Sequence, residues 1–412
     1  MKVKVAFYIP NRGFFQRNLE NVFMGNPGIG GSEYSAILIA SSLSLDSNFD
    51  VTLFCDFEGH FPYMLKNKAC GCLEKALEYA EKDDFDFIVV DTKFFDEALL
   101  VRYRRVNFIA WANCFIDSAL QSLFAKFPNV VKIVNVGRHQ RELLKDTCID
   151  GKSTYIFNAV PTSFLEKFDS SITPISERKH NVVYIGSLHR AKGFHVLAKA
   201  WPEIIKEVPD AQLFVIGSGH LYGGNSKLGR WGVAQEEYEK EFMPYLTNDN
   251  MIMQSVHFMG IMGNEKYEIL NECKVGVPNP SGVSETFGYT AVEMQLMGCH
   301  VTTIKCPGYL DTVCERSCLY DSENELAAKV VSLLQNDFLN YDEIKGFVSR
   351  FSLQQITEKW KDLFCDLKKK NGFTPLRIGY NEMIEAFLLI KFRELKCYIK
   401  KCLKYNNGKG CL

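Results

Sequence analysis

The chain has 412 residues, 48 Lys plus Arg against 49 Asp plus Glu, and a formal net charge of −1. That length predicts two or three domains, and 47% hydrophobic with 24% charged residues excludes global disorder. The balanced charge argues against a dedicated nucleic-acid binder.

The first half alternates short β-rich runs with helical patterns. Lys4–Pro10 reads as a buried strand and Gly31–Ser44 as a helix. Strands are predicted at Asp50–Cys55, Phe85–Val90, Val106–Ala112, Val130–Val136 and Thr154–Asn158, with a helix around Cys70–Lys82. Continuous Val/Ile/Phe runs fit parallel strands buried on both faces. Phe168–Lys179 is rich in Ser, Pro and charge and reads as a linker. A second series follows, with strands at Asn181–Ser187, Ala211–Gly219, Ser255–Gly260, Lys274–Pro280, His300–Cys306 and Cys318–Asp321. Helices are expected near Phe194–Val208, Asn324–Leu334 and Leu353–Lys368.

The expected architecture is α/β: two doubly wound, Rossmann-like parallel-sheet domains facing a cleft. The boundaries are 1–167, a linker 168–179, 180–350, a return helix 351–370 and a helical tail 371–412.

The 14 cysteines are too sparse for a disulfide scaffold. The N-terminus lacks a long apolar run, and no stretch of about 18 apolar residues occurs. A cytoplasmic protein with reduced, mostly buried thiols is expected. Cys70-Gly71-Cys72 and Cys314-x3-Cys318 lack a second pair at zinc spacing and read as core thiols.

Three loops carry chemistry. Gly28-Ile29-Gly30-Gly31-Ser32-Glu33 opens a helix, where amides and a partial positive charge suit a phosphate. The plainer reading is a loop capped by Ser32. Gly186-Ser187-Leu188-His189-Arg190-Ala191-Lys192-Gly193 follows a strand, and Arg190 with Lys192 would neutralise a diphosphate; surface solvation is the alternative. The third runs from Ser281 to Glu293. Here Glu285 is expected at a helix start and Glu293 two turns deeper on the same face, with the amides of Thr286, Phe287 and Gly288 open to an anion. Two solvated glutamates are the alternative, but Glu293 sits among Ala291, Val292, Met294, Leu296 and Met297, a costly place for an unpaired charge.

These residues resemble the retaining glycosyltransferases of family 4, which have the two-domain GT-B architecture. Glu285 and Glu293 match the E-x7-E motif, Gly30-Gly31-Ser32-Glu33 matches a GG-x-E loop, and Gly186–Gly193 partly matches G-R-L-x-x-x-K-G. The resemblance spans about Lys2 to Asp366. It implies a nucleotide-sugar donor held mainly on the second domain. Lys192 would bind the diphosphate, Glu285 the donor sugar and Glu293 the ribose. Gly186, Ser187 and the segment Thr286–Gly288 would line the donor site, with Gly30 and Gly31 facing the phosphates from the first domain. The leaving diphosphate would take the acceptor proton, so neither a protein nucleophile nor a cofactor is needed. The implied acceptor is a glycan, a glycolipid or a lipid-linked molecule. A sugar phosphate, a protein or a small molecule is a second possibility, and a non-catalytic two-domain binding protein a third.

The sequence departs from the family twice. Ser187 stands where an Arg is common, and Arg190 is the expected replacement. Trp111-Ala112-Asn113-Cys114 replaces a frequent His, so Asn113 would hydrogen-bond the sugar without acting as a base. His60 and His139 lack a matching context. Asp84-Phe85-Asp86 has a D-x-D form but is explained by a turn, and no metal is expected. Leu221–Gly232 reads as an insertion. Asn381–Tyr405 reads as a basic amphipathic helix that packs on the body of the protein, on a second subunit or on the inner face of a membrane.

Overall fold

The computed structural model describes residues 2–161, 171–219 and 227–369. Residues 221–226 of the expected insertion Leu221–Gly232, the first part of the expected linker and the tail with its amphipathic segment lie outside these described residues.

The first sheet contains β1 (Val3–Ile9), β2 (Phe49–Cys55), β3 (Lys66–Ala69), β4 (Phe87–Asp91), β5 (Phe108–Ala112), β6 (Val130–Asn135) and β7 (Ser153–Tyr155). All pair in parallel, in the order β3-β2-β1-β4-β5-β6-β7. The second half adds β8 (Lys179–Ile185), β9 (Gln212–Ile216), a short hairpin of β10 (Thr247–Asn248) and β11 (Met251–Ile252), β12 (Val256–Gly260), β13 (Cys273–Gly276) and β14 (His300–Val301). Its parallel sheet runs β12-β9-β8-β13-β14. The central strands are buried along almost their whole length, which is why their sequences are continuous rather than alternating.

Chain order reverses between β1 and β4 in the first sheet and between β8 and β13 in the second. Ligands of open parallel sheets sit beyond the strand ends at such reversals. The loops after β1, β4, β8 and β13 are therefore the ones that matter.

Several expected elements differ. Cys318–Asp321 is not a strand; Tyr320 makes a single bridge to Ile304. The strand expected over His300–Cys306 shortens to two residues. The helix expected from Cys70 starts at Leu73. β3, with the sequence KNKA, went unforeseen because an exposed polar edge strand leaves no apolar signal. The expected linker ends within β8, and Arg178 at its end is buried, donating to the carbonyls of Thr173, Leu270, Cys273 and Met297.

The return helix, Leu353–Lys369, packs on the first sheet. Trp360 meets Trp111 edge-on at 5.0 Å and Phe7 at 6.3 Å, and Phe364 meets Phe7 at 6.5 Å. Lys368 binds the Lys2 carbonyl and the Asp86 carboxylate, both at 2.7 Å. Asp86 also accepts from the Lys4 amide at 2.8 Å. This D-x-D aspartate therefore has a structural role, anchoring the helix that closes the first domain.

Candidate active site

A cavity of about 420 Å³ lies between the two sheets, where both reversal points meet. Gly30, Gly31 and Asn113 line it from the first half. Gly186, Ser187, Lys192, Glu285, Thr286, Phe287, Gly288 and Glu293 line it from the second.

The glycine loop is held by side-chain hydrogen bonds. The Asn26 side chain accepts from the amides of Gly28 and Ile29 at 3.0 and 2.9 Å and donates to the Ile29 carbonyl at 3.0 Å. Gly30, not Ser32, caps the helix Gly31–Ser44, and the Ser32 hydroxyl instead donates to Glu33 at 2.9 Å. A Cβ on Gly31 would come within 3.2 Å of the Tyr289 ring, so glycine permits the two halves to close together here.

In the second loop, the Tyr184 hydroxyl donates to the Lys192 carbonyl at 2.9 Å, fixing the turn. Lys192 Nζ lies 3.0 Å from Glu285 Oε2. Ser187 is buried, and a Cβ on Gly186 would meet the Tyr184 hydroxyl at 2.8 Å. Arg190 does not join this group. Its exposed guanidinium pairs with Glu241, away from the cavity lining.

The third loop corrects an expectation. Glu285 is not on a helix. Gly288 adopts a left-handed conformation (φ 80°) and the helix begins at Tyr289. Ser284 is left-handed too, at φ 57°. Glu285 and Glu293 therefore reach one cavity from a loop and a helix, not along one helical face. Glu285 accepts from Asn279 Nδ2 and Lys192 Nζ, each at 3.0 Å. Glu293 is 5% exposed and its charge is met: Lys266 Nζ and the Tyr267 hydroxyl donate to Oε1 at 2.7 and 2.9 Å. Oε2 takes neither bond. Among the described residues, the amides of Thr286, Phe287 and Gly288 donate to no acceptor, the state expected of anion-binding groups before a helix. The Phe287 ring is buried between Phe157 and Phe351 and contributes packing.

Sequence reasoning missed Lys266, Asn279, Asp91 and Lys93, all on the cavity wall. Asp91 ends β4; its carboxylate accepts from the Lys93 amide at 3.0 Å and from Asn113 Nδ2 at 3.1 Å. Burial pushes the Asp91 carboxyl above the ordinary carboxylate range. Burial opposes the Lys93 charge, but Glu33, 3.2 Å away, and Asp91 together raise its pKa. Burial likewise raises the Cys114 thiol and pushes Cys306 up to about 12.

The halves are bonded across the cleft. The Thr286 hydroxyl meets the Asn113 carbonyl at 2.6 Å, and Ser35 meets the Tyr289 hydroxyl at 2.7 Å. His139 is a cross-domain residue: its Nδ1 lies 2.7 Å from Asp311 Oδ1.

Residues 179–336 match the family model described as Glycosyl transferases group 1. No curated protein sequence matches the chain. Among solved structures, Anabaena HepE, crystallised with UDP and glucose, is similar at 16% identity and TM-score 0.61, covering 88% of this chain and 100% of that one. A glycosyltransferase from Rickettsia africae is similar at 13% identity and TM-score 0.61, covering 89% and 99%. AviGT4, a glycosyltransferase involved in avilamycin A biosynthesis, is similar at 14% identity and TM-score 0.58, covering 89% and 98%. The fold is that of the GT-B glycosyltransferases. Among the described residues, no helix is long and apolar enough to cross a membrane.

Proposed function

We propose that the chain is a retaining, metal-independent glycosyltransferase. It moves a sugar from a nucleoside-diphosphate sugar, with UDP or GDP as the nucleotide, to a glycan, glycolipid or lipid-linked acceptor in polysaccharide biosynthesis. The observation that carries this reading is the Lys192–Glu285–Asn279 cluster beside the unpartnered amides of Thr286–Gly288, in a cavity shared by both sheets. The UDP and glucose bound to HepE support a donor of this class.

The diphosphate sits against Lys192 and the three amides, with Gly30 and Gly31 approaching from the other side. Glu285 contacts the donor sugar. Glu293, held through Oε1, keeps Oε2 for the ribose hydroxyls. As the glycosidic C–O bond breaks, negative charge grows on the departing phosphate, where preorganised donors are worth most. The acceptor hydroxyl attacks the same face and gives its proton to that phosphate oxygen. Positioning supplies the rest of the rate. Lys192 fills the cationic role without Arg190.

A thermal-shift screen of nucleotide sugars tests the reading, because ligands that bind the folded state raise its stability. One donor should stabilise wild type, and sugar transfer from it should survive EDTA and fall with Glu285→Ala. If no nucleotide sugar stabilises the protein, the proposal fails. Vesicle cosedimentation of the full chain against a deletion of Phe373–Leu412 tests placement at the inner membrane face.

A further inference from the structure

Asp91 lines the cavity, and its carboxylate is already engaged. Oδ1 accepts from the Lys93 amide at 3.0 Å, and Oδ2 accepts from Asn113 Nδ2 at 3.1 Å. Lys93 Nζ stands 4.0 Å from Oδ2 and 3.2 Å from Glu33 Oε1. Both Asp91 oxygens accept here, and the Lys93 ammonium 4.0 Å away favours the ionised form against burial; an ionised carboxylate only accepts, so the Asn113 amide turns its nitrogen toward Asp91. The Asn113 carbonyl oxygen is then the end left for a ligand. The main chain of Asn113 is pinned separately, by the Thr286 hydroxyl at 2.6 Å. Thr286 adjoins Glu285, so two acceptor oxygens, Asn113 Oδ1 and the Glu285 carboxylate, lie on neighbouring parts of one cavity wall. Acceptors repel a phosphate and attract hydroxyl donors.

We propose that Asp91 is a positioning residue for sugar recognition. It locks the Asn113 amide so that Oδ1 accepts a hydroxyl hydrogen of the donor's sugar, while Lys93, itself held by Glu33, stands beside the Asp91 carboxylate. The inference rests on the nucleotide-sugar reading above. It assigns the sugar, not the nucleotide, to this wall, and it gives the Glu33 of the glycine loop a role at one remove from the ligand.

Titration calorimetry with UDP-glucose and GDP-mannose, and with UDP and GDP as sugar-free controls, tests it. Asp91→Asn releases the lock, since either end of the Asn113 amide can then face position 91. Losing one such hydrogen bond weakens the better nucleotide sugar by about fivefold to tenfold, with its sugar-free nucleotide unchanged. The double variant Asp91→Asn/Asn113→Asp restores the lock with reversed polarity: the amide now at 91 donates to the carboxylate now at 113, whose second oxygen faces the sugar. Most of the lost affinity should return. An equal loss for sugar and sugar-free ligands, no loss, or no recovery in the double variant each overturns the inference alone. Wild type that binds none of the four overturns the donor reading, and the inference with it.

Discussion

Thr286 donates its hydroxyl hydrogen to the Asn113 carbonyl 2.6 Å away, and so joins the two halves at the wall of the cavity. Thr286→Val removes that bond with almost no change of shape. A net loss of about 1 kcal/mol is expected for such a bond. If the bond helps hold the closed cleft, the donor KM should rise several-fold while the unfolding midpoint moves by a few degrees at most. Steady-state kinetics and thermal melts check both.

Lys192 and Arg190 stand two residues apart and should behave differently. Lys192→Met removes the cation beside Glu285. Loss of one electrostatic stabiliser of a transition state costs about 3–4 kcal/mol, so kcat should fall by roughly two to three orders of magnitude. Arg190→Ala breaks only an exposed pair with Glu241 and should leave donor KM and kcat near wild type. A large effect of Arg190→Ala on donor binding would return it to the site.

The Lys266–Glu293 pair is buried on both sides, at 5% and 7% side-chain exposure. Lys266→Met strands the Glu293 charge and should cost about 3–5 kcal/mol of stability. Adding Glu293→Gln should recover much of that loss without restoring donor binding. Urea unfolding and calorimetry separate the two quantities.

The Asp46–Lys361 pair, at 2.9 Å, ties the return helix to the first domain. The Asn48 amide, followed by Lys361, holds the Asp46 carboxyl below its usual range. Its stabilisation is therefore fully present above the unfolded value of about 3.9 and is lost as pH falls through the lower folded value. Glu358 and then Asp46 raise Lys361, so its contribution persists below the unfolded lysine value and disappears as pH rises past the folded one. Asp46→Asn should flatten the acid limb of a stability–pH profile below the unfolded value of about 3.9, by a modest amount because the pair is near solvent.

Cys114 is an exposed thiol on the cavity wall, next to Asn113. Although the residue is exposed, partial desolvation of its sulfur at the cavity wall raises the pKa, so alkylation by iodoacetamide should be slow near neutrality and faster at pH 9. A bound nucleotide sugar should protect it. Mass spectrometry of the Cys114 peptide, with and without donor, reads this directly, and equal labelling would place the donor elsewhere.

The doubled parallel-sheet plan was legible because strands buried on both faces need continuous apolar runs, as in Phe87–Asp91 and Phe108–Ala112. The approximate site was legible because glycine-bearing loops follow strands at both reversal points. Its internal geometry was not. Ser281–Glu293 scans as one helical start, but the left-handed Ser284 and Gly288 turn Glu285 out of the helix. Lys266 and Asp91 carry no local pattern, since a single charged residue near a helix start or strand end is ordinary. Only the tertiary fold brings Lys266 to Glu293 and Asp91 to Asn113. Arg190 illustrates the converse: a cation in a promising loop was claimed by Glu241 on a neighbouring helix.

The Leu353–Lys369 segment reaches back to Phe7, Trp111 and Lys2. The first domain is thus a discontinuous unit, begun by the earliest residues and completed by a segment made after the whole second domain. On the ribosome, Phe7 and Trp111 wait for more than two hundred residues of synthesis before Trp360 covers them. A fragment ending before that segment would expose an aromatic surface rather than yield a stable half-enzyme, and any exchange of domains between related chains must carry the late segment along with the early one.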